Sequence, residues 1–548
     1  MKNNRYLYIF LITVLLVGGC AQEPIIPETV LIEPTVETGV KGNADFTKFI
    51  AIGNSFVAGV QGGALFTEGQ DNSLPAIMAK QFQISGIGGG AFVQPSIKAT
   101  LGWNLFVPQP ILGPPFDPTK RVLGRMLLQG ASPRPTPQAY AVGNFEAVPN
   151  PQVNPAFIYT GGKATLNNFG VPAIVLGQSL ITQTGAWAGA GADPRFNPFY
   201  GRLAFPGTGT STIIGDAAAA GGTFFLFWLG LDDFFLYAAF GGDPARAPLT
   251  PGSGAGAGGF DLQYGAAIGA LLGSNANLKG VVGNFPDIFL MPHFTSVVYN
   301  PIPLDAATAG VLNGAFAGYN AALDGLVANA TAFGISDALK AQIGTRKVTY
   351  AAGANKALIN DETLTDLGPY FDGLLGAGAI NANQRAALAP YQRVRQTTAS
   401  DKIPLATGSI LGTLVGGNPS FINGLTIPLA DQYVLIPSEI DAINAARTSY
   451  NTTIKAVADA NPTRLAFADI NAALNGLITA RAGVYNGVTI TPNINPPTGI
   501  YSEDGAHPNS RGYAFLSRVF IQAINDKFTS TVPLTNLSKY KATGLPIP

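Results

Sequence analysis

The chain has 548 residues, 47% of them hydrophobic, with Lys+Arg and Asp+Glu equal at 32 each. That length admits a deep core and one to three domains, while the balanced charge implies no basic patch and argues against nucleic acid as a partner. Charged residues make up only 12% against 67 glycines and 41 prolines, so long, weakly charged loops are expected to cover a core or a partner protein.

The first residues, "MKNNRYLYIFLITVLLVGGCAQEP", have a basic start (Lys2, Arg5), an apolar stretch from Tyr6 to Val17 and small residues before Cys20. This is the pattern of a secretory signal, residues 1–19, not of a fold element. "VGGC" resembles the lipobox of bacterial lipoproteins, and that resemblance implies cleavage before Cys20 and acylation of its thiol, anchoring the chain to a membrane. Cys20 is the only cysteine, so neither a disulfide framework nor a cysteine metal cluster is expected. Residues 20–44 mix Pro, Glu, Thr and Val without period, which reads as an extended tether.

The folded part is expected to span 45–530, followed by a C-terminal tail, 531–548. Five short apolar runs read as buried strands of a parallel sheet: 46–52, 163–171, 223–230, 278–285 and 464–470. "TFFLFWLGLDDFFLYAAF" comes closest to a spanning helix, but Asp232 and Asp233 interrupt it. A helix is predicted from Ser438, with Ile443, Tyr450, Ile454 and Val457 on one face. Another begins behind Asn509 and Ser510 and carries Tyr513, Leu516, Val519, Phe520 and Ile524. Insertions fall at about 86–160, 186–222, 241–262 and 355–430, the last reading as a small helical insert.

Chemistry centres on "FIAIGNSFVAGVQGG", where an apolar strand ends in Gly53 and delivers Ser55 into a small-residue turn. An α/β-hydrolase elbow needs glycine two residues after the serine; Val57 stands there, so that motif is absent. A serine at the carboxyl end of a parallel strand nevertheless lies where such sheets place ligands, although most such serines only cap a turn. The chain has two histidines, His293 and His507. Asp504 lies three residues before His507 in "EDGAHPNSRGY", close enough to orient the ring of a general base. His293, in the apolar "LMPHFTS", reads as a packed or rim residue.

"GNSFVAG", "GLDD" and "DGAHPN" occur in the order found in the SGNH, or GDSL-like, hydrolases, and "NFPDIFLMPHF" and "GIYSEDGAHPNSRGYAFL" resemble the large SGNH-type outer-membrane lipoproteins of Bacteroidota. The resemblance implies a flavodoxin-like three-layer α/β/α sandwich and a triad of Ser55, His507 and Asp504. It also implies a cell-envelope location at the outer membrane and chemistry that needs neither cofactor nor metal.

Family members form the oxyanion hole from the nucleophile's N–H, a glycine N–H and an asparagine side chain. Here the matching positions are Ser55, Ala173 (with Gly170 as an alternative glycine) and Asp232. Alanine keeps its N–H where φ is negative, but an ionised Asp232 accepts hydrogen bonds and cannot donate them. Two functions are therefore expected: a serine esterase acting on a lipid, acyl or O-acetyl ester, or a binding lipoprotein on the same scaffold, attached to an outer-membrane protein complex.

Overall fold

The computed structural model describes residues 37–100, 102–104, 124–129, 134–137, 158–186, 193–204, 210–254 and 258–542. The signal 1–19, Cys20, most of the tether and much of the 86–160 insertion lie outside the described residues, as do parts of 186–222, 241–262 and the tail.

Five strands form one parallel sheet: β1 (Phe49–Gly53), β2 (Asn168–Gly170), β3 (Phe224–Trp228), β4 (Lys279–Gly283) and β5 (Leu465–Ala468). Their spatial order is β2-β1-β3-β4-β5, with every pairing parallel. All five lie within the predicted runs or one residue beyond. The weakest run, 163–171, contributes only three strand residues, because Lys163–Thr165 forms a 3-10 turn first. β1 and β3 are buried throughout, as expected of strands covered on both faces.

In chain order the helices that matter here are α1 (Ser55–Ala58), α2 (Leu74–Phe82), α3 (Ile213–Ala219), α4 (Asp232–Ala239), α5 (Phe260–Ser274), α6 (Ala306–Ala328), α7 (Pro437–Ala460), α8 (Ile470–Ala480) and α9 (Ser510–Phe528). α2, α8 and α9 pack together as one outer layer, and α3, α5 and α7 form the other. The result is a flavodoxin-like three-layer α/β/α sandwich. The predicted face of α9 is borne out: Tyr513, Phe520 and Ile524 are fully buried behind an Asn509 cap that accepts from the Gly512 N–H. α7 starts earlier than Ser438, because Pro437 fits the first helical position and Glu439 reaches back to the Ile436 N–H at 2.8 Å.

The large insertion differs from its expected limits. A second hydrophobic core runs from Ile302 to Ile436 rather than over 355–430. It is built on α6, whose buried Leu312, Phe316, Tyr319, Leu323 and Leu326 are separated by so many Ala and Gly residues that its apolar face is weak in the sequence. Within this insert, Arg395 bridges Asp361 at 2.6 Å and Asp401 at 2.7 Å.

The ends of the body also extend further than expected. Residues 38–44 of the tether pack on the body, with the Asn43 N–H bonded to the Phe528 carbonyl at 2.8 Å. The tail's described part is docked too: Leu537 is fully buried, and the Asn509 side chain donates to the Ala542 carbonyl at 3.0 Å. Among the described residues no helix is long and apolar enough to cross a membrane.

Candidate active site

In a β2-β1-β3 arrangement the chain reverses its winding between β1 and β3, and a crevice opens beyond their carboxyl ends. β1 ends at Gly53 and is followed by Asn54 and Ser55; β3 is followed, after a short turn, by Asp232 and Asp233 at the start of α4. Asn54 spans the gap by donating from Nδ2 to Asp232 Oδ1 at 2.7 Å.

The acidic pair fastens the loop after β2. Asp232 Oδ2 accepts from the Ile174 N–H at 3.2 Å, and Asp233 accepts from the Leu176 N–H at 2.7 Å and the Thr250 hydroxyl at 2.8 Å. Both carboxylates also sit at the positive end of the α4 dipole. Burial nevertheless dominates and pushes each up to about 7, against the opposing pull of these hydrogen bonds and, for Asp232, of His507.

Ala173 immediately precedes those fastened loop residues and adopts φ +53°, the left-handed region that favours glycine. The negative φ anticipated for an alanine here is therefore not found. The position has a glycine-type conformation, and the Ala173 N–H has no hydrogen-bond partner among the described residues. Gly170, the alternative, is committed elsewhere: its N–H bonds the Asn168 side chain at 2.8 Å, and a Cβ there would lie 2.4 Å from the Ala58 nitrogen.

Asp504 and His507 meet in the turn before α9. His507 Nδ1 is 2.7 Å from Asp504 Oδ2, and the Ala506 and His507 N–H groups each reach Oδ1 at 2.9 Å. The Gly63 N–H also donates to Oδ2, at 2.5 Å, tying the acid to the loop that follows Ser55. Burial alone raises the Asp504 carboxyl, but His507 and these donors outweigh it and hold it at about 2. A carboxylate on Nδ1 makes that nitrogen the protonated one and leaves Nε2 with a lone pair. His507 Nε2 is buried and has no hydrogen-bond partner among the described residues.

Ser55 is only 3% exposed, and the ring of its neighbour Phe56 lies 4.9 Å from the His507 ring. The Ser55 side chain lies within reach of Asp232 and helps to hold its carboxyl down, and no hydrogen bond joins it to His507 Nε2 among the described residues. The structure thus joins acid to base and brings Phe56, the residue after the serine, against the base, while no serine–base hydrogen bond is made among the described residues. Such bonds are often long or misaligned before substrate binds.

Asn54, Ser502, Gly63 and His293 were not singled out as site residues. Ser502 accepts from the Gly62 N–H at 2.9 Å and donates to the His507 carbonyl at 2.8 Å, stitching the two loops together. Asn54 stood next to Ser55 in the sequence; the others carried no local signal, because each acts across hundreds of residues. Away from the crevice, Glu362, Asp431 and Glu439 bring carboxylate oxygens within 4.8 Å of one another, and burial raises Glu439 to about 8 and Asp431 to about 6.

The chain matches no protein-family model, no curated protein and no solved structure. The fold class stands on the topology, and a functional reading has to stand on the geometry of the site.

Proposed function

We propose that the chain is a serine esterase of the SGNH, or GDSL-like, kind, acting on a lipid, acyl or O-acetyl ester. The observation that carries this reading is the buried Asp504–His507 pair, whose Nε2 has no partner among the described residues and whose ring lies 4.9 Å from that of Phe56, the residue after Ser55. Nε2 takes the Ser55 proton as Oγ attacks the ester carbonyl; the Ser55 and Ala173 N–H groups face the developing oxyanion. Collapse expels the alcohol, which takes its proton from His507. Water, activated by the same Nε2, then releases the acid and restores Ser55. Before the first step the Ser55 hydroxyl has to leave Asp232. Acylation of Cys20 would hold the enzyme on a membrane, most simply the outer membrane of the cell envelope.

The Ser55–Asp232 contact favours a second reading, a binding lipoprotein on the same scaffold that docks on an outer-membrane protein complex. A fluorophosphonate probe separates the two. The esterase labels at Ser55, and Ser55→Ala does not label. No labelling of the wild type at any pH from 5 to 9 would favour the scaffold reading.

A further inference from the structure

Asp504 holds both histidines of the chain. Its carboxylate takes His507 Nδ1 at 2.7 Å, and its main-chain carbonyl takes His293 Nδ1 at 3.0 Å. A carbonyl oxygen has no proton to give, so His293 Nδ1 must carry one. The His293 main-chain N–H adds a second bond, to the Gly505 carbonyl at 2.9 Å. Gly505 has φ +74°, and a Cβ there would stand 2.7 Å from the His293 nitrogen, so the turn is pressed directly on this residue. The His293 ring is wedged between Phe235 of α4, centroids 5.8 Å apart, and Phe294, 4.8 Å apart. α4 begins at Asp232, so one ring packs against the element carrying the oxyanion-side carboxyl while clamping the turn carrying the acid and base.

We propose that His293 is a positioning residue for the acid–base pair: its Nδ1–H fixes the Asp504–Gly505 peptide and thereby the carboxylate that orients His507. The inference rests on the esterase reading only for its kinetic consequence. His293 does this work uncharged, since burial lowers its basicity against the opposing pull of Asp504. A second positive charge here would oppose formation of the His507 imidazolium. Asp504, Asp232 and His293 are the titratable groups coupled to His507 by charge.

The test uses three variants. His293→Phe keeps a ring between Phe235 and Phe294 but loses the donor. His293→Asn places an amide N–H near the Nδ1 position, and His293→Gln places one further out, away from the Asp504 carbonyl. With only two histidines in the chain, imidazole nitrogen-15 NMR resolves His507 without crowding. In His293→Phe the His507 Nδ1–H signal is expected to move and broaden as its carboxylate partner loosens, with turnover down about 10-fold at nearly constant KM; His293→Asn restores both. Should His293→Phe not fold, His293→Gln takes its place with the same expectation. An unmoved His507 Nδ1–H signal, or His293→Asn as impaired as His293→Phe, would overturn the assignment. The NMR readout needs no substrate, so a shift restored by Asn in a protein inert to every ester would uphold the clamp and sink the esterase reading alone.

Discussion

Asn54 donates its side-chain amide to the Asp232 carboxylate at 2.7 Å, and this bond ties the carboxyl end of β1 to the start of α4 across the switch point of the sheet. The residue next to the proposed nucleophile is thereby locked to the residue proposed to face the developing oxyanion. Asp232 accepts from Asn54 and Ile174 with Ser55 within reach, the behaviour of a carboxylate, while burial pulls it toward the neutral acid at about 7. Its protonation state therefore decides whether the site holds the serine hydroxyl or donates to an oxyanion.

Turnover of wild type should consequently fall as pH rises through about 7, where Asp232 loses its proton while His507 must stay neutral to act as base. Asp232→Asn supplies a permanent donor and no charge. Since one oxyanion donor is commonly worth about 10² to 10³ in turnover, the variant should exceed wild type at pH 8 and lose the alkaline fall, with Ser55 still essential. It should also melt lower, because an amide nitrogen now faces either the Ile174 N–H or the Asn54 amide, at a cost of about 1–3 kcal/mol. A wild type already fast and flat at pH 8, slowed by the substitution, would remove Asp232 from the oxyanion hole.

Ser55→Ala and His507→Ala should each abolish most ester turnover, and the double variant should be little worse than either single one, because members of one catalytic unit do not contribute additively. Asp504→Asn breaks the charge partner of His507 but leaves an acceptor for its ring N–H, so its loss should be smaller than that of His507→Ala. Single losses that multiply in the double variant would mean Ser55 and His507 act separately.

Cells fed an alkyne-labelled fatty acid should label the wild type and not Cys20→Ser. Equal labelling of both would remove the lipid anchor.

All five strands of the sheet were legible because strands covered on both faces read as short apolar runs, and because each ends in glycine or polar residues. Ser55, Asp504 and His507 were legible as local motifs, and Asp504–His507 pairing follows from a three-residue spacing. What the sequence hid acts over distance or through small residues. The clamp from His293 to Asp504 crosses more than two hundred positions. The left-handed Ala173 has no marker, since alanine rarely adopts that conformation and the loop is held there over distance, by Asp232 on the Ile174 N–H, Asp233 on the Leu176 N–H and the Asn197 amide on the Pro172 carbonyl. α6 was missed because Ala and Gly dilute its apolar stripe.

Melting temperature should rise as pH is lowered from about 8.5 to about 5. Asp232 and Asp233 move from an ordinary 3.8 to about 7 on folding, so the folded chain binds these protons more tightly than the unfolded one. The stability they contribute is complete below about pH 4 and is lost as pH climbs through about 7. Glu439 and Asp431 push in the same direction, more weakly because both are partly solvated. Asp504 pushes the other way: its folded value of about 2 lies below its ordinary 3.8, so its contribution is present above about pH 4 and is lost only as pH falls toward 2. His293, whose basicity burial lowers, also pushes the other way below its ordinary 6.5, but the four raised carboxyls outnumber it and govern the window from about 5 to 8.5. Asp232→Asn should flatten that slope by removing one of its two fully buried members, whereas Asp504→Asn should leave the slope unchanged and alter only the acid limb. A melting temperature that is flat or rises between pH 5 and 8.5 would mean that the Ile174, Leu176 and Asn54 donors keep the acidic pair ionised, and the pH-dependent oxyanion site would fall with it.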